Sequence, residues 1–258
     1  MSDLPELLQL TEIGERRYHV TQPSESAEGR DVVFSGQLLA QMIMASDHSA
    51  AGAKDVRSVH AVFARAGTYT LPIELEVDSL LAGRTWASDT VTATQAGKVL
   101  SRATVLLNVV DEDLMRHEPQ MPSVAGPAEL EAASGLVFPG AELKAVPGRH
   151  DVGGVPVEME WHRFERPLAS QAANQAVLIW ATCGNIIGLG MRSHRDRVRI
   201  EEAHASISTG VIAHTMHFLD RFDVSRWLLV RHEATKAATG RVYGDGRVFT
   251  EDGTLVAA

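Results

Sequence analysis

A chain of 258 residues with 45% hydrophobic content fills one or two domains and has enough apolar side chain for a substantial core. Its net charge of −9 excludes general affinity for nucleic acid, because most of the surface would repel phosphates, and makes any anionic small ligand dependent on a local basic patch. The single cysteine excludes an intramolecular disulfide and any multi-cysteine zinc or iron–sulfur site, in keeping with a reducing, cytoplasmic compartment.

The N-terminal MSDLPELLQLTEIGERR has acidic residues where a secretory signal would be basic, and its apolar run is short. Arg17 to Val20 reads as a short strand and Gly29 to Asp31 as a turn. In VFSGQLLAQMIMASDHSAAG the apolar residues Leu38, Leu39, Met42, Ile43 and Met44 leave little room for a polar face, which predicts a buried helix over Gly36–Ala50. Val56–Phe63, Leu71–Leu81, Arg84–Thr94 and Val99–Val109 are rich in Val, Thr and Leu and are separated by glycines, so they read as four antiparallel strands. From Asp111 to Gly154, Pro119, Pro122, Pro127, Pro139 and Pro147 break any period, and the stretch reads as a surface linker.

Pro156–Pro167 resumes a strand pattern and leads to AANQAVLIWATCGNIIGLGM, residues 172–191, which is apolar on more than one face. Asn174, Gln175, Thr182 and Asn185 would each need a partner in hydrocarbon, so a membrane span is the wrong reading; a buried helix over Asn174–Met191 is expected. Val211–Phe218, Trp227–Thr235, Arg241–Thr250 and Thr254–Ala258 then supply strands. The order strand, buried helix, strands thus occurs twice.

Residue matches support a duplication. His60-Ala-Val-Phe63 is echoed by His214-Thr-Met-His-Phe218 at an offset of 154 between the histidines. SDTVTATQAGK at 88–98 lies over GDGRVFTEDGT at 244–254, sharing Asp89/Asp245, Thr94/Thr250 and Gly97/Gly253 at an offset of 156. The expected architecture is α+β: a double hotdog, two antiparallel sheets each wrapped around a long buried helix. Residues 1–112 form the N-terminal unit, 113–154 the linker and 155–258 the C-terminal unit.

VFSGQLLAQ at 33–41, VRSVHAVFARAGTYTLPIELEVDSLLAGRTWASDTVTATQAGKVL at 56–100 and HTMHFLDRFDVSRWLLVRHEATKAATGRVYGDGRVFTEDGTLVA at 214–257 resemble the acyl-CoA thioesterase II family. The resemblance implies a tandem hotdog fold, fatty acyl-CoA as substrate, and hydrolysis to free acid and coenzyme A. Such hydrolysis needs a positioned water and donors to the carbonyl oxygen, and hence no metal or organic cofactor.

In that family an Asp in the second helix, a Thr before the His-Ser/Thr-Met segment and a Gln in the last strand orient the water. The family's Tyr-Ala-Ser-Asp falls here on Trp180-Ala181-Thr182-Cys183, the Thr position is Val211, Ala213 stands where an Asp commonly precedes the His, and the Gln would lie beyond Ala258. The family positions therefore give Cys183 and Val211, with Asn185 beside them, as catalytic candidates. Cys183 also reads as a small buried hydrophobe, because a reactive thiolate needs a nearby cation or base. Asn185, read as a buried amide, must bond the neighbouring sheet or a bound thioester. Gly36 and Gln37 at a helix start can face a carbonyl, although Gln37 and Gln41 also suit structural bonds to backbone.

His214 is a substrate-site candidate, but its equivalence to His60 in the repeat favours a shared structural role. Arg195, Arg197 and Arg199, in the basic run that also holds Arg192 and His194, are candidates for coenzyme A phosphates or for an oligomer contact. Two readings follow: an acyl-CoA thioesterase with altered or weak catalysis, or a catalytically silent acyl-CoA or acyl-carrier binder. A hotdog hydratase ranks third, because no Asp-His dyad is evident. Hotdog sheets often pair edge to edge, so a homo-oligomer is expected.

Overall fold

The computed structural model describes residues 8–22, 31–133, 140–148, 153–199 and 207–258. The described strands are β1 (Thr11–Gly14), β2 (Arg17–Val20), β3 (Asp55–Phe63), β4 (Ile73–Ala82), β5 (Trp86–Gln95), β6 (Lys98–Asn108), β7 (Ala141–Ala145), β8 (Val157–Phe164), β9 (Ala213–His217), β10 (Leu228–Ala238), β11 (Arg241–Thr250) and β12 (Leu255–Ala257). The helices are α1 (Ser35–Ser49), α2 (Gln171–Thr182) and α3 (Asn185–Arg192). Strand periodicity located most of these within a residue or two. β1 and β7 were not expected, since both are short edge strands with little burial to impose a period.

The seven-stranded sheet has the order β1-β2-β4-β5-β6-β3-β9, and the five-stranded sheet β12-β11-β10-β8-β7. They join edge to edge where β9 meets the C-terminal strand: Phe218 bridges Ala257, and the His217 and Ala258 amides each donate to the other's carbonyl at 2.7 and 3.0 Å. Within the halves the orders β2-β4-β5-β6-β3 and β8-β10-β11-β12-β9 correspond strand for strand. One core of buried residues runs through both halves and includes the inner faces of α1 and α2, which pack against each other.

The equivalence of His60 and His214 does not hold. His60 pairs with Thr215 across the join, its Nδ1 2.6 Å from the Thr215 hydroxyl on the exposed face, while Ala61 pairs with His214 on the buried face. Directly paired residues share a face and strand side chains alternate, so this register puts His60 and His214 on opposite faces of the joined sheet. Asp89 and Asp245 differ likewise: Asp89 is buried against the Ser46 hydroxyl at 2.7 Å, whereas Asp245 is exposed and accepts from Thr235.

The linker does more than cross the surface. Met121, Val124 and Leu130 pack on Val157, Met159, Trp161, Leu229 and Phe249, covering the outer face of the second sheet, and β7 extends that sheet's edge. The Trp161 indole donates to Ala125 O at 3.0 Å, and the Leu255 amide donates to Glu118 at 2.6 Å.

Candidate active site

The helix expected over Asn174–Met191 is two helices. Gly184 has φ +93°, a left-handed conformation that an L side chain adopts only at a cost, so α2 stops at Thr182 and α3 starts at Asn185. The segment Gln171–Arg192 is long and apolar enough by composition to cross a membrane, yet it is broken here and mostly buried within the protein. Only α2 is buried all round; in α3, residues 185–188 are half-exposed.

Polar side chains of α2 fix its placement. Gln175 Nε2 donates to Val56 O at 2.8 Å, Asn174 Oδ1 accepts from the Val224 amide at 2.8 Å, and the Ser170 hydroxyl caps the helix by accepting from the Ala173 amide. Thr182 turns its hydroxyl back on Leu178 O.

The break in the second helix meets the start of the first. α1 has Phe34 at its N-cap, and the Phe34 side chain makes no capping hydrogen bond. A Cβ at Gly36 would lie 2.7 Å from Phe34 Cε1 and 2.9 Å from both Cys183 Cβ and Trp180 O, so glycine is required by the close approach of the two helices. The Ser35 hydroxyl lies 3.7 Å from Cys183 Sγ. Ser35 escaped the sequence reading, since only the packing of α1 on α2 joins residues 148 positions apart.

Gly36, Gln37 and Cys183 are thus brought together, with Asn185 two residues past the thiol. The chemistry there is limited. Cys183 is 2% exposed, and burial pushes its thiol up to about 12, offset only in part by the Ser35 hydroxyl. A thiolate nucleophile is therefore disfavoured, and the bland reading of Cys183 fits its surroundings. Asn185 is half-exposed rather than buried, because the helix break lifts it out of the core, and solvent can satisfy its amide. Gln41 is structural: it accepts from Gln22 at 2.6 Å and donates to Thr21 O at 3.1 Å.

The remaining candidates lie elsewhere. Val211 is half-buried against the main core, in the segment before β9. His214 faces inward from β9 with Nε2 buried and unpartnered among the described residues, and desolvation holds it down at about 4. It belongs to a polar layer beneath α3. His232 is also held at about 4 by burial; His162 lies 3.2 Å from Glu160 and by that hydrogen bond keeps the Glu160 carboxyl below its usual range; Arg192 pairs with Glu158. Arg195, Arg197 and Arg199 are exposed beyond the end of α3, about 12 Å of helix from the break. Arg195 lines a surface cleft of about 700 Å³ with Gly148, Glu158, Leu189 and Arg192, and Arg197 lies 3.7 Å from Asp196. Among the described residues no three His, Cys, Asp or Glu side chains converge as a metal site.

Comparison with known proteins identifies the family and the fold. Residues 22–108 match the family of the acyl-CoA thioesterase N-terminal domain, and residues 112–258 that of the acyl-CoA thioesterase C-terminal domain. Acyl-coenzyme A thioesterase 8 of Mus musculus is 24% identical over 245 residues, covering 86% of this chain and 77% of the relative. Acyl-CoA thioesterase 2 of Haemophilus influenzae is 23% identical over 242 residues, covering 87% and 84%. Among solved structures, an acyl-CoA thioesterase II from Mycobacterium marinum superposes with a TM-score of 0.84 at 21% identity over 99% of this chain and 94% of the other. A hotdog-fold protein from Alicyclobacillus acidocaldarius gives 0.77 at 20% identity over 100% and 95%. At these identities the structural matches establish the double hotdog fold.

Proposed function

We propose, from the premise that this chain belongs to the acyl-CoA thioesterase family, that it hydrolyses fatty acyl-CoA to free fatty acid and coenzyme A. The observation that carries this reading is the start of α1 set against the break at Cys183–Gly184, where Gly36 lets the two helices meet. A helix N-terminus presents amide donors and a positive dipole end, which suit the oxygen of a thioester as it gains charge. In this reading Gly36 and Gln37 face the carbonyl, Cys183, Asn185 and Val211 border the reacting carbon, and the acyl chain follows apolar residues of α2 and the inner sheet, with His214 at its margin. Arg195, Arg197 and Arg199 take coenzyme A phosphates outside. The same sheets present β1 and β7 as edges through which copies can pair into a homo-oligomer.

Among the described residues, the Cys183 junction offers donors but no base. Loss of a general base typically lowers rate 10²–10⁴-fold, so turnover driven from this junction alone should be weak. A steady-state assay of coenzyme A release from medium- and long-chain acyl-CoA tests the proposal. Thioester cleavage above the uncatalysed rate is expected. Micromolar binding without release would overturn hydrolysis and favour the silent binder.

A further inference from the structure

The duplication gives the pair of helices a second junction. Counted from the first helical residue, Cys183 holds the thirteenth position from Gln171, and Asp47 the thirteenth from Ser35. Met44-Ala45-Ser46-Asp47 aligns with Trp180-Ala181-Thr182-Cys183 without a gap. A carboxylate is therefore present in this chain at the pseudo-equivalent place, in the first helix instead of the second.

The surroundings of Asp47 suit a reacting group. Other carboxylates on the helix-facing layer are engaged: Asp89 by Ser46 and Arg16, Glu158 by Arg192, Glu160 by His162. Asp47 is half-buried, and while its backbone carbonyl accepts from Ala50 and Gly52, its carboxylate has no hydrogen bond or ion pair among the described residues. Burial raises its carboxyl above the usual value, Asp55 adds to this, and His48 opposes it. α2 contributes no ionisable side chain.

The start of α2 lies at this same end of the pair. Gln175 bonds Val56, the neighbour of Asp55; Asn174 bonds Val224; and Arg221 lies 3.1 Å from Asp55. Arg221 and Gln171, the first residue of α2, line a cleft of about 1030 Å³ together with Arg163, Arg226 and Trp227. The Gln171 amide nitrogen is buried without a partner among the described residues, an unused donor at a helix start. Asp223, Glu251 and Asp252 also line the cleft, so Arg163, Arg221 and Arg226 offer donors to phosphates there without making the cleft basic as a whole.

We infer that Asp47 is the general base of thioester hydrolysis, acting at the junction between the end of α1 and the start of α2. This rests on the hydrolytic reading above and relocates its chemistry. Asp47 takes a proton from water as the water oxygen adds to the thioester carbonyl carbon, and Gln171 Nε2 donates to the carbonyl oxygen. The tetrahedral intermediate collapses with loss of the C–S bond, and Asp47 returns the proton to the departing thiolate. The products are one carboxylic acid and one thiol, and the Cys183 junction is left to bind without chemistry.

The test is kcat and KM for wild type, Asp47→Asn, Asp47→Glu and Gln171→Ala with a long-chain acyl-CoA across pH, alongside thermal unfolding. Asp47→Asn should lower kcat 10²–10⁴-fold, remove the acid limb of the rate profile and leave Tm unchanged or raised, since an unpaired, partly buried charge is lost. Asp47→Glu should recover part of the rate, and Gln171→Ala should lower kcat about 10²-fold with little change in KM. Wild-type kcat and an unaltered acid limb in Asp47→Asn would overturn the inference while leaving hydrolysis intact. Absence of hydrolysis in the wild type would overturn the functional reading itself, and this inference with it.

Discussion

Burial shifts the protonation of Cys183, His214 and His232. A thiol pushed up to about 12 is almost wholly protonated at neutral pH, and Cys183 is buried besides. Native protein at pH 7.5 should react with a maleimide at least roughly tenfold more slowly than protein unfolded in guanidinium, read as label by mass spectrometry. Rapid native labelling, or an acyl adduct on Cys183 during turnover, would show the thiol to be reactive after all. His214 and His232 are held neutral at about 4 against an ordinary 6.5. Below pH 6.5 the unfolded chain takes up protons that the folded chain refuses. Their contribution is therefore complete above about 6.5 and is lost as pH falls towards 4, by roughly 3 kcal/mol for each histidine at most. Denaturant unfolding of His232→Gln between pH 4 and 7 should give a flatter dependence than wild type; parallel curves would place the acid sensitivity in other groups.

At the scale of elements, the two glycines at the helix junction act differently. Gly184→Ala forces a side chain into φ +93° and should cost about 1–2 kcal/mol. Gly36→Ala drives a methyl to within 2.9 Å of Cys183 Cβ and Trp180 O, and the helices must separate, at about 1–3 kcal/mol. For a protein of this size each kcal/mol lowers Tm by roughly 2–4 °C, so both variants fall within reach of calorimetry. Gly36→Ala should also lower turnover or ligand binding if the start of α1 receives the thioester, whereas an effect on Tm alone would make Gly36 purely a packing residue. Gln175→Leu removes the donor to Val56 O and leaves a buried carbonyl unsatisfied, at about 1–3 kcal/mol.

For the whole molecule, the joined sheets and the shared core make the halves dependent on each other. The buried cluster includes Leu39, Ile43 and Leu107 from the first half with Ile179, Phe218 and Val256 from the second. Heating should therefore give one transition, with calorimetric and van't Hoff enthalpies in agreement; two resolved transitions would show that the halves unfold separately. The net charge of −9 sets the second prediction at this scale. If Arg195, Arg197 and Arg199 draw in the coenzyme A phosphates, replacing all three with Ala should weaken acyl-CoA binding, more at 10 mM than at roughly 1 M ionic strength, where charges are screened within about 3 Å. Equal affinity at both salts would move the nucleotide to another cleft, and the one lined by Arg163, Arg221 and Arg226 is available.

Local pattern alone determined the elements, their doubled order and the family resemblance, because period-2 and helical apolar patterns, glycine turns and short motifs are properties of neighbouring residues. Arg17–Val20 and Arg241–Thr250 were placed to the residue in this way. The tertiary structure decided the rest. That His60 and His214 take opposite faces depends on strand register across the join, where one residue of slip reverses the face. Gly184 could have been accommodated within a helix; its left-handed φ at the meeting with α1 splits the apolar stretch and exposes Asn185. The linker became a layer because Trp161, Met159 and Phe249 leave an apolar outer face that must be covered. Asp47 drew no notice in the sequence, since a lone Asp near a helix end is ordinary. Its standing as the counterpart of Cys183 exists only once α1 and α2 lie side by side in a duplicated fold, where position along one helix fixes proximity to the start of the other.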